Sequence, residues 1–266
     1  MHPGILYFPQ SFKQLLLSFT PLKKLLPNRR LACYISIIIF LTNLSPRESS
    51  AQLYNQKWSA GLHSGMLVFH GDVKTNEFLP SVSGFNELRA GGGVQATYHF
   101  NPVLALRGSL LAGKLAGANP DQDEYFTANI LDYTLQGLIS LNSLFFYGYD
   151  YTPVDIYAVA GYGLVEFRTI KRRLSDDSFI RAFGFNADGS RSPKKTRELV
   201  IPLGIKVHAD LETFFGSSSN FLSNSIITFE FLLYNANTNK LDADLTVREV
   251  KDKYSYLSLG LLYYFR

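Results

Sequence analysis

The C-terminal stretch, Tyr254-Ser-Tyr-Leu-Ser-Leu-Gly-Leu-Leu-Tyr-Tyr-Phe-Arg266, limits the fold more than any other part of the chain. Leu257, Leu259, Leu261, Tyr263 and Phe265 share one face of a period-two pattern. Tyr256, Ser258, Gly260, Leu262 and Tyr264 share the other. A strand alternates its side chains in this way, whereas a helix does not. The alternation holds for about ten residues, the length of a tilted strand that crosses a bilayer. A strand that ends the chain still needs a second partner, and a barrel provides one by pairing the last strand with the first.

Seven earlier segments carry the same pattern: about 58–68, 88–100, 103–113, 129–141, 155–168, 198–211 and 225–235. In the cleanest of them, Leu199, Ile201, Leu203, Ile205 and Val207 oppose Gly204, Lys206, His208 and Asp210. The expected fold is therefore all-β: an eight-stranded antiparallel up-and-down transmembrane β-barrel, apolar face outward. In the fifth segment Tyr157, Val159, Val165 and Phe167 are read as outward, with Glu166 and Arg168 inward. A soluble lipocalin-like barrel would reverse the pattern and keep a ligand cavity. Tyrosines and phenylalanines near the strand ends favour lipid-interface girdles instead.

An eight-stranded barrel is only wide enough for side chains to fill. Charges on its inner face should pair, because an unpaired buried charge costs several kcal/mol. The expected lumenal network is Arg89, Arg107, Asp132, Glu166, Arg168, Lys206, Asp210 and Glu230. Pro202 lies within the sixth segment and removes a ladder donor, so a bulge or a local break in pairing is expected there. The Gly91-Gly-Gly93 run is followed by no helix and is read as easing curvature rather than holding phosphate.

The connections expected outside the cell are about 69–87, 114–128, 169–197 and 236–253. The opposite turns are Asn101-Pro102, about 142–154 and about 212–224. Loop 169–197 is basic. Lys171, Arg172, Arg173, Lys194 and Lys195, with Phe183 and Phe185, form a candidate external contact surface for lipopolysaccharide phosphates or an envelope protein.

The first 51 residues read differently. Basic residues Lys23, Lys24, Arg29 and Arg30 precede an apolar run from Leu31 to Leu44, and Ser49-Ser-Ala51 follows. This is the pattern of a signal peptide cleaved after Ala51, leaving 52–266 as the barrel. The apolar run is short for a membrane anchor. Cys33, the single cysteine, opens that run rather than following it, which argues against lipidation, and the mature chain needs no disulfide. Of 26 Lys and Arg and 22 Asp and Glu, six bases and one acid lie in 1–51. That leaves 20 bases against 21 acids, a net of −1. The basic pI of about 9.0 thus belongs to the leader and is no argument for nucleic acid.

Tyr157-Ala-Val-Ala-Gly-Tyr-Gly-Leu164, Glu198-Leu-Val-Ile-Pro-Leu-Gly-Ile205 and the closing strand resemble the OmpA-like outer-membrane β-barrel family over essentially all of 52–266. The resemblance implies a Gram-negative outer-membrane location with both termini periplasmic. It also implies a C-terminal aromatic signal for the barrel assembly machinery, here Tyr263 and Phe265, although Arg266 follows. The peptidoglycan-binding domain of many relatives is not expected, so that role is not carried over.

No catalytic, cofactor or metal site is expected. His63-Ser64 and His208-Ala-Asp210 are the nearest approach to a catalytic pair, but His63 and Ser64 face opposite sides of their strand. His208 and Asp210 are about 7 Å apart along theirs and read as structural. The function expected is structural or interaction work by an outer-membrane barrel with a plugged lumen. The alternatives are a small barrel subunit of a secretion apparatus of the type IX kind, a narrow channel and, more weakly, a lipid-modifying enzyme.

Overall fold

A computed structural model describes residues 57–71, 87–145, 154–185, 195–215, 220–243 and 251–265. The leader, its cleavage position and Cys33 lie outside the described residues. Nine strands are present: β1 (Trp58–His70), β2 (Arg89–His99), β3 (Leu104–Asn119), β4 (Glu124–Ser140), β5 (Val154–Arg173), β6 (Phe179–Phe183), β7 (Thr196–Asp210), β8 (Ser225–Ala236) and β9 (Lys253–Phe265). All pairings are antiparallel and join sequence neighbours, except that β5 pairs with both β6 and β7, and β9 closes on β1. Eight strands therefore form a closed ring. The short β6 folds back on the far end of β5, on the edge that β7 occupies lower down.

Closure is complete. Thirteen successive pairs join β1 to β9, from Trp58 with Phe265 to His70 with Lys253. No backbone edge is left along the wall, which is the condition for burying strands where water cannot reach them. The outer surface carries Leu62, Val94, Leu110, Leu203, Ile205, Phe229 and Leu259, all exposed, while alternate residues such as Leu67 and Arg107 are buried. From Leu199 to Val207 this apolar row covers about 27 Å of strand, or about 20 Å of barrel height at a tilt near 40°. That is close to the ~25 Å apolar band of a membrane barrel.

The two ends differ. At one lie the Asn101 turn and three short helices, α1 (Leu141–Phe145), α2 (Leu211–Phe215) and α3 (Asn220–Ser223). Exposed aromatics ring this helix end. Trp58 packs on Tyr98 with centroids 4.9 Å apart, Tyr98 on Phe100 at 5.1 Å, and Tyr263 on Phe265 at 5.5 Å. Asn101 Oδ1 accepts from the Val103 and Leu104 amides at 2.9 and 2.7 Å, which makes the tight turn that Asn-Pro foreshadows. At the opposite loop end β3, β4, β5 and β6 continue as an extension of the wall.

That extension corrects two expected loops. Residues 114–119 and 124–128 are paired strand, not loop, and the connection is only the 3₁₀ turn Pro120–Gln122. The turn chemistry sits at Asn119-Pro120-Asp121: Asn119 Oδ1 accepts from Gln122 N, and Asp123 adopts φ 53°. The small residues before it are compatible with strand and were not a turn signal. Likewise 169–173 continue β5 against β4, and 179–183 return as β6 with a register shift at Lys171 and Arg172.

The proline expectation holds in its second form. The β5–β7 ladder skips Gly161 and Tyr162 opposite Ile201 and Pro202 and resumes in the same register, whereas Pro202 stays paired with Tyr234 of β8. The missing donor is thus turned toward β5, with no bulge. Of the glycine run, Gly91 and Gly93 face the lumen. A Cβ at Gly91 would meet Leu67 Cδ1 at 2.7 Å, and one at Gly93 would meet the Leu110 carbonyl oxygen at 1.8 Å and the His63 ring at 2.9 Å. Gly91 thus makes room for a lumenal side chain, and Gly93 also lets the β3 backbone come close.

Two predictions follow from closure and close packing. The folded barrel should migrate apart from the boiled protein in electrophoresis, and identical migration together with carbonate extraction would contradict the fold. Gly93→Val should lower the temperature at which the folded band disappears, by the cost of overpacking, about 1–3 kcal/mol. Gly108→Val, where a Cβ meets nothing within 4 Å, should leave it unchanged.

Candidate functional site

The lumen is filled by two unlike layers. The polar layer lies across the middle. Arg107 of β3 reaches Glu230 of β8 through two parallel bonds, Nη1 to Oε2 at 2.5 Å and Nη2 to Oε1 at 2.6 Å. Its Nε donates to Gln136 Oε1 at 2.8 Å, its Nη2 also reaches that oxygen, and Nη1 donates to Gln95 Oε1 at 2.9 Å. Lys206 of β7 donates to the same Gln95 oxygen at 2.9 Å and lies 3.6 Å from Glu230. Gln136 Nε2 then donates to Thr134 Oγ1 at 2.6 Å. Side chains of β2, β3, β4, β7 and β8 are thereby tied across the bore. Arg107, Lys206 and Gln136 are almost fully buried, and the fork of the guanidinium suits the bidentate carboxylate.

The layer toward the loop end is apolar. Leu67, Phe69, Leu111, Leu115, Phe126, Val165, Phe167 and Leu232 form one buried cluster. Phe69 and Phe126 meet edge to face at 4.7 Å, and Tyr234 stacks on Tyr254 at 4.8 Å. The cluster is roofed by residues 237–243. Leu241 is fully buried, its amide donates to Asp252 Oδ2 at 2.8 Å, and its carbonyl accepts from Thr169 Oγ1 at 2.9 Å. Asp132 lies within this layer and accepts from Tyr254 Oη at 2.8 Å.

The expected charge network is therefore split. Arg107, Lys206 and Glu230 do come together. Asp132 is lumenal but meets a tyrosine instead of a base. Asp210 is buried at the helix end, where Oδ1 accepts from the Glu212 amide at 3.0 Å and starts α2. Arg89 takes the lumenal face at the first position of β2, opposite Leu67 in register. His208 packs on the Tyr157 ring at 4.5 Å. Gln95, Gln136, Tyr234 and Tyr254 belong to the lumenal packing and were not singled out. Their signal was parity with Arg107, Asp132 and Glu230 on strands already aligned.

Glu166 and Arg168 are corrections: both lie on the outer face. Directly paired residues share a face, and Asp132, which is lumenal, pairs with Val165. Tyr157, Val159, Val165 and Phe167 therefore point inward, and all are buried. Charges at the loop end of β5 had been taken to mark the inside, but that part of the lumen is apolar and the charges stand on the outside. There Glu166 accepts from Tyr133 Oη at 2.7 Å, from Arg197 Nε at 3.0 Å and from Lys195 at 3.2 Å.

Among the described residues, most bases of the basic loop are paired, with Asp177 of the loop itself or with Glu124 of β4 and Glu166 of β5. Lys171 is buried and bonded to Glu124, so it offers no external contact. Arg172 pairs with Asp177 at 2.7 Å. The hydrogen bond from Tyr125 Oη, followed by the charge of Arg172, holds the Asp177 carboxyl below its usual range. Phe183 is partly buried against the apolar cluster, Phe185 is half-buried and Arg173 is exposed. Lys194 lies outside the described residues. Tyr263 stands on the outer face beside exposed Phe265 at the end of β9. Among the described residues no group of three His, Cys, Asp or Glu could hold a metal.

No protein-family model matches the sequence, and no curated protein matches it. Solved structures with a likeness include Ail, the attachment invasion locus protein of Yersinia pestis, at 12% identity and a TM-score of 0.39, covering 79% of this chain and 99% of that one. That structure holds the heparin analogue sucrose octasulfate. Neisserial surface protein A is similar at 14% identity and a TM-score of 0.37, covering 78% and 97%. Outer membrane protein W of E. coli is similar at 13% identity and 0.37, covering 79% and 98%. The fold assignment rests on the strand pairings above.

Removing Glu230 leaves Arg107 and Lys206 buried without their acid. Glu230→Gln should destabilise the folded band by about 3–5 kcal/mol, while the double change Arg107→Met with Glu230→Leu should cost less than the single one. Urea titration of the folded band measures both. A double variant that costs as much as the single one or more would contradict the coupling.

Proposed function

We propose that this protein is an integral outer-membrane barrel with a structural or interaction role and no enzymatic activity, working through its wall and loop end. The observation that carries the reading is the combination of an apolar outer band with a bore filled across its width by the Arg107–Glu230–Lys206–Gln95 layer. A wall of that kind fits hydrocarbon, and a bore of that kind leaves nothing for a solute to pass. The aromatic ring at the helix end supports an interface at that level. The short turns there match the periplasmic side, so both termini would be periplasmic and the loop end would face outward. The OmpA-like resemblance is the family reading that agrees with this arrangement. Tyr263 and Phe265 would serve as the assembly signal.

Proposed partners are outer-membrane lipid, lipopolysaccharide, the assembly machinery during insertion and an envelope protein at the loop end. Nucleic acid is not among them. Membership of a secretion apparatus would show as a stoichiometric set of companions after mild-detergent purification from native outer membranes. The barrel should give no steady conductance in planar bilayers. Steady ohmic conductance that lumenal substitutions alter would overturn the plugged-lumen reading and favour a channel.

A further inference from the structure

The outer wall is not evenly studded. Leu62, Val94, Leu110 and Tyr133 pair in register across β1 to β4 and form a ridge. One pair nearer the helix end the same strands carry Ala60, Ala96 and Gly108, and the row rises again only at Leu135 and Tyr162. Beyond it Trp58, Tyr98 and Leu106 form a second ridge. The floor is bare: a Cβ at Gly108 would meet nothing within 4 Å. The depression is shallow and open to the surroundings, about 1130 Å³ in extent, and it continues past Tyr133 over Leu164 to Leu199, two residues from Arg197.

Its polar boundary is at Tyr133. The ring of Tyr133 belongs to the ridge, and its hydroxyl donates to Glu166, which also binds Arg197 and Lys195. The Glu166 side chain is only 13% exposed, whereas that of Arg197 is 60% exposed. The acid is covered by its cations, so the surface next to the groove presents two positive groups over one hidden negative one. An apolar trough ending under exposed cations has the shape of an amphiphile with hydrocarbon chains and an anionic head.

We propose that this groove seats the acyl chains of a phosphorylated glycolipid of the outer leaflet, its phosphate held by Arg197 and Lys195. The proposal rests on the membrane reading above, with the loop end outward. Of the basic-loop candidates it keeps Lys195, drops Lys171 and Arg172, which are occupied by Glu124 and Asp177, and adds Arg197 at the start of β7. A guanidinium gives phosphate a bidentate partner and the ammonium adds a point charge.

Native mass spectrometry of the detergent-purified full chain would test it, with bisphosphorylated lipid A, its dephosphorylated form and phosphatidylglycerol as separate probes. Folding of every variant is checked first by heat-dependent migration. Wild type should retain one lipid A and prefer it to both other probes. Lys195→Ala with Arg197→Ala should weaken retention by on the order of tenfold, the worth of one charged hydrogen bond to phosphate. Gly108→Trp should fill the trough without touching the fold and weaken retention to a similar degree. Gly137→Leu faces outward but lies outside the groove and should retain lipid A as wild type does. Equal retention of the dephosphorylated glycolipid or of phosphatidylglycerol, or full retention by Gly108→Trp, would overturn the proposal. So would a protein dimer that Gly108→Trp dissociates in place of a lipid adduct. A chain that never forms the heat-sensitive band would instead remove the membrane reading itself.

Discussion

Everything in this structure depends on closing the hydrogen-bond ring between β1 and β9. A β-wall surrounded by hydrocarbon has no water to satisfy a free edge, and each unpaired backbone group there costs several kcal/mol. The thirteen-pair seam from Trp58–Phe265 to His70–Lys253 removes that cost. It also fixes parity around the whole ring, because a register slip of one residue would turn an entire strand inside out. The gap in the ladder at Pro202 is confined to two residues on each strand and leaves the register intact on both sides. Continuous pairing to β8 on the other flank holds the strand while the β5 side goes without its donor.

Once the ring is closed with eight strands, the bore must be filled, and side chains are what fill it. The chain does so in layers. Glu230 is the acid shared by Arg107 and Lys206, and Gln95 is the acceptor shared by the same two bases. Uncharged amides thus complete what one carboxylate cannot, which matters because a buried base left with an open donor is costly. Above this layer Leu67 lies over Gly91 and Gly113, and His63 over Gly93. Gly91 and Gly113 make room for Leu67, whereas at Gly61, Gly65, Gly163 and Gly204 a Cβ would first meet a backbone carbonyl oxygen of the next strand.

Strand number, strand positions, the closing seam and the faces of seven strands could be read from period two alone. What failed was the assumption that an inner face is polar. On β1 the lumenal parity runs from His63 to Leu67 and Phe69, on β4 it includes Phe126 and Ile130 beside Asp132, and on β5 it is Tyr157, Val159, Val165 and Phe167. Both faces of β5 are apolar through most of its length, so Glu166 and Arg168 were taken as the marks of side, and they mark the wrong one, while Asp155 on the opposite face was passed over. The information was present, but on another strand. Asp132 fixes the inside of β4, and the β4–β5 register fixes Val165 beside it. Register is a property of pairs, and a single strand read by itself does not contain it. The strands of the loop-end extension were missed for a related reason: Leu115-Ala-Gly-Ala118 has too little contrast between faces to show a period.

A bore with no spare volume also restricts where a barrel of this size can do anything. Substitutions in the polar layer change stability first, because Arg107, Glu230, Lys206 and Gln136 are each bonded to a partner there. Variation is tolerated on the wall and at the loop end, where the cost of a new side chain is only its contact with lipid or water. The outward Glu166 patch illustrates this. Its acid is shielded by Arg197 and Lys195 and anchored by Tyr133, so the same three contacts that settle a carboxylate at the edge of the apolar band also hold two cations there. The arrangement that satisfies the wall is the arrangement that gives it chemistry.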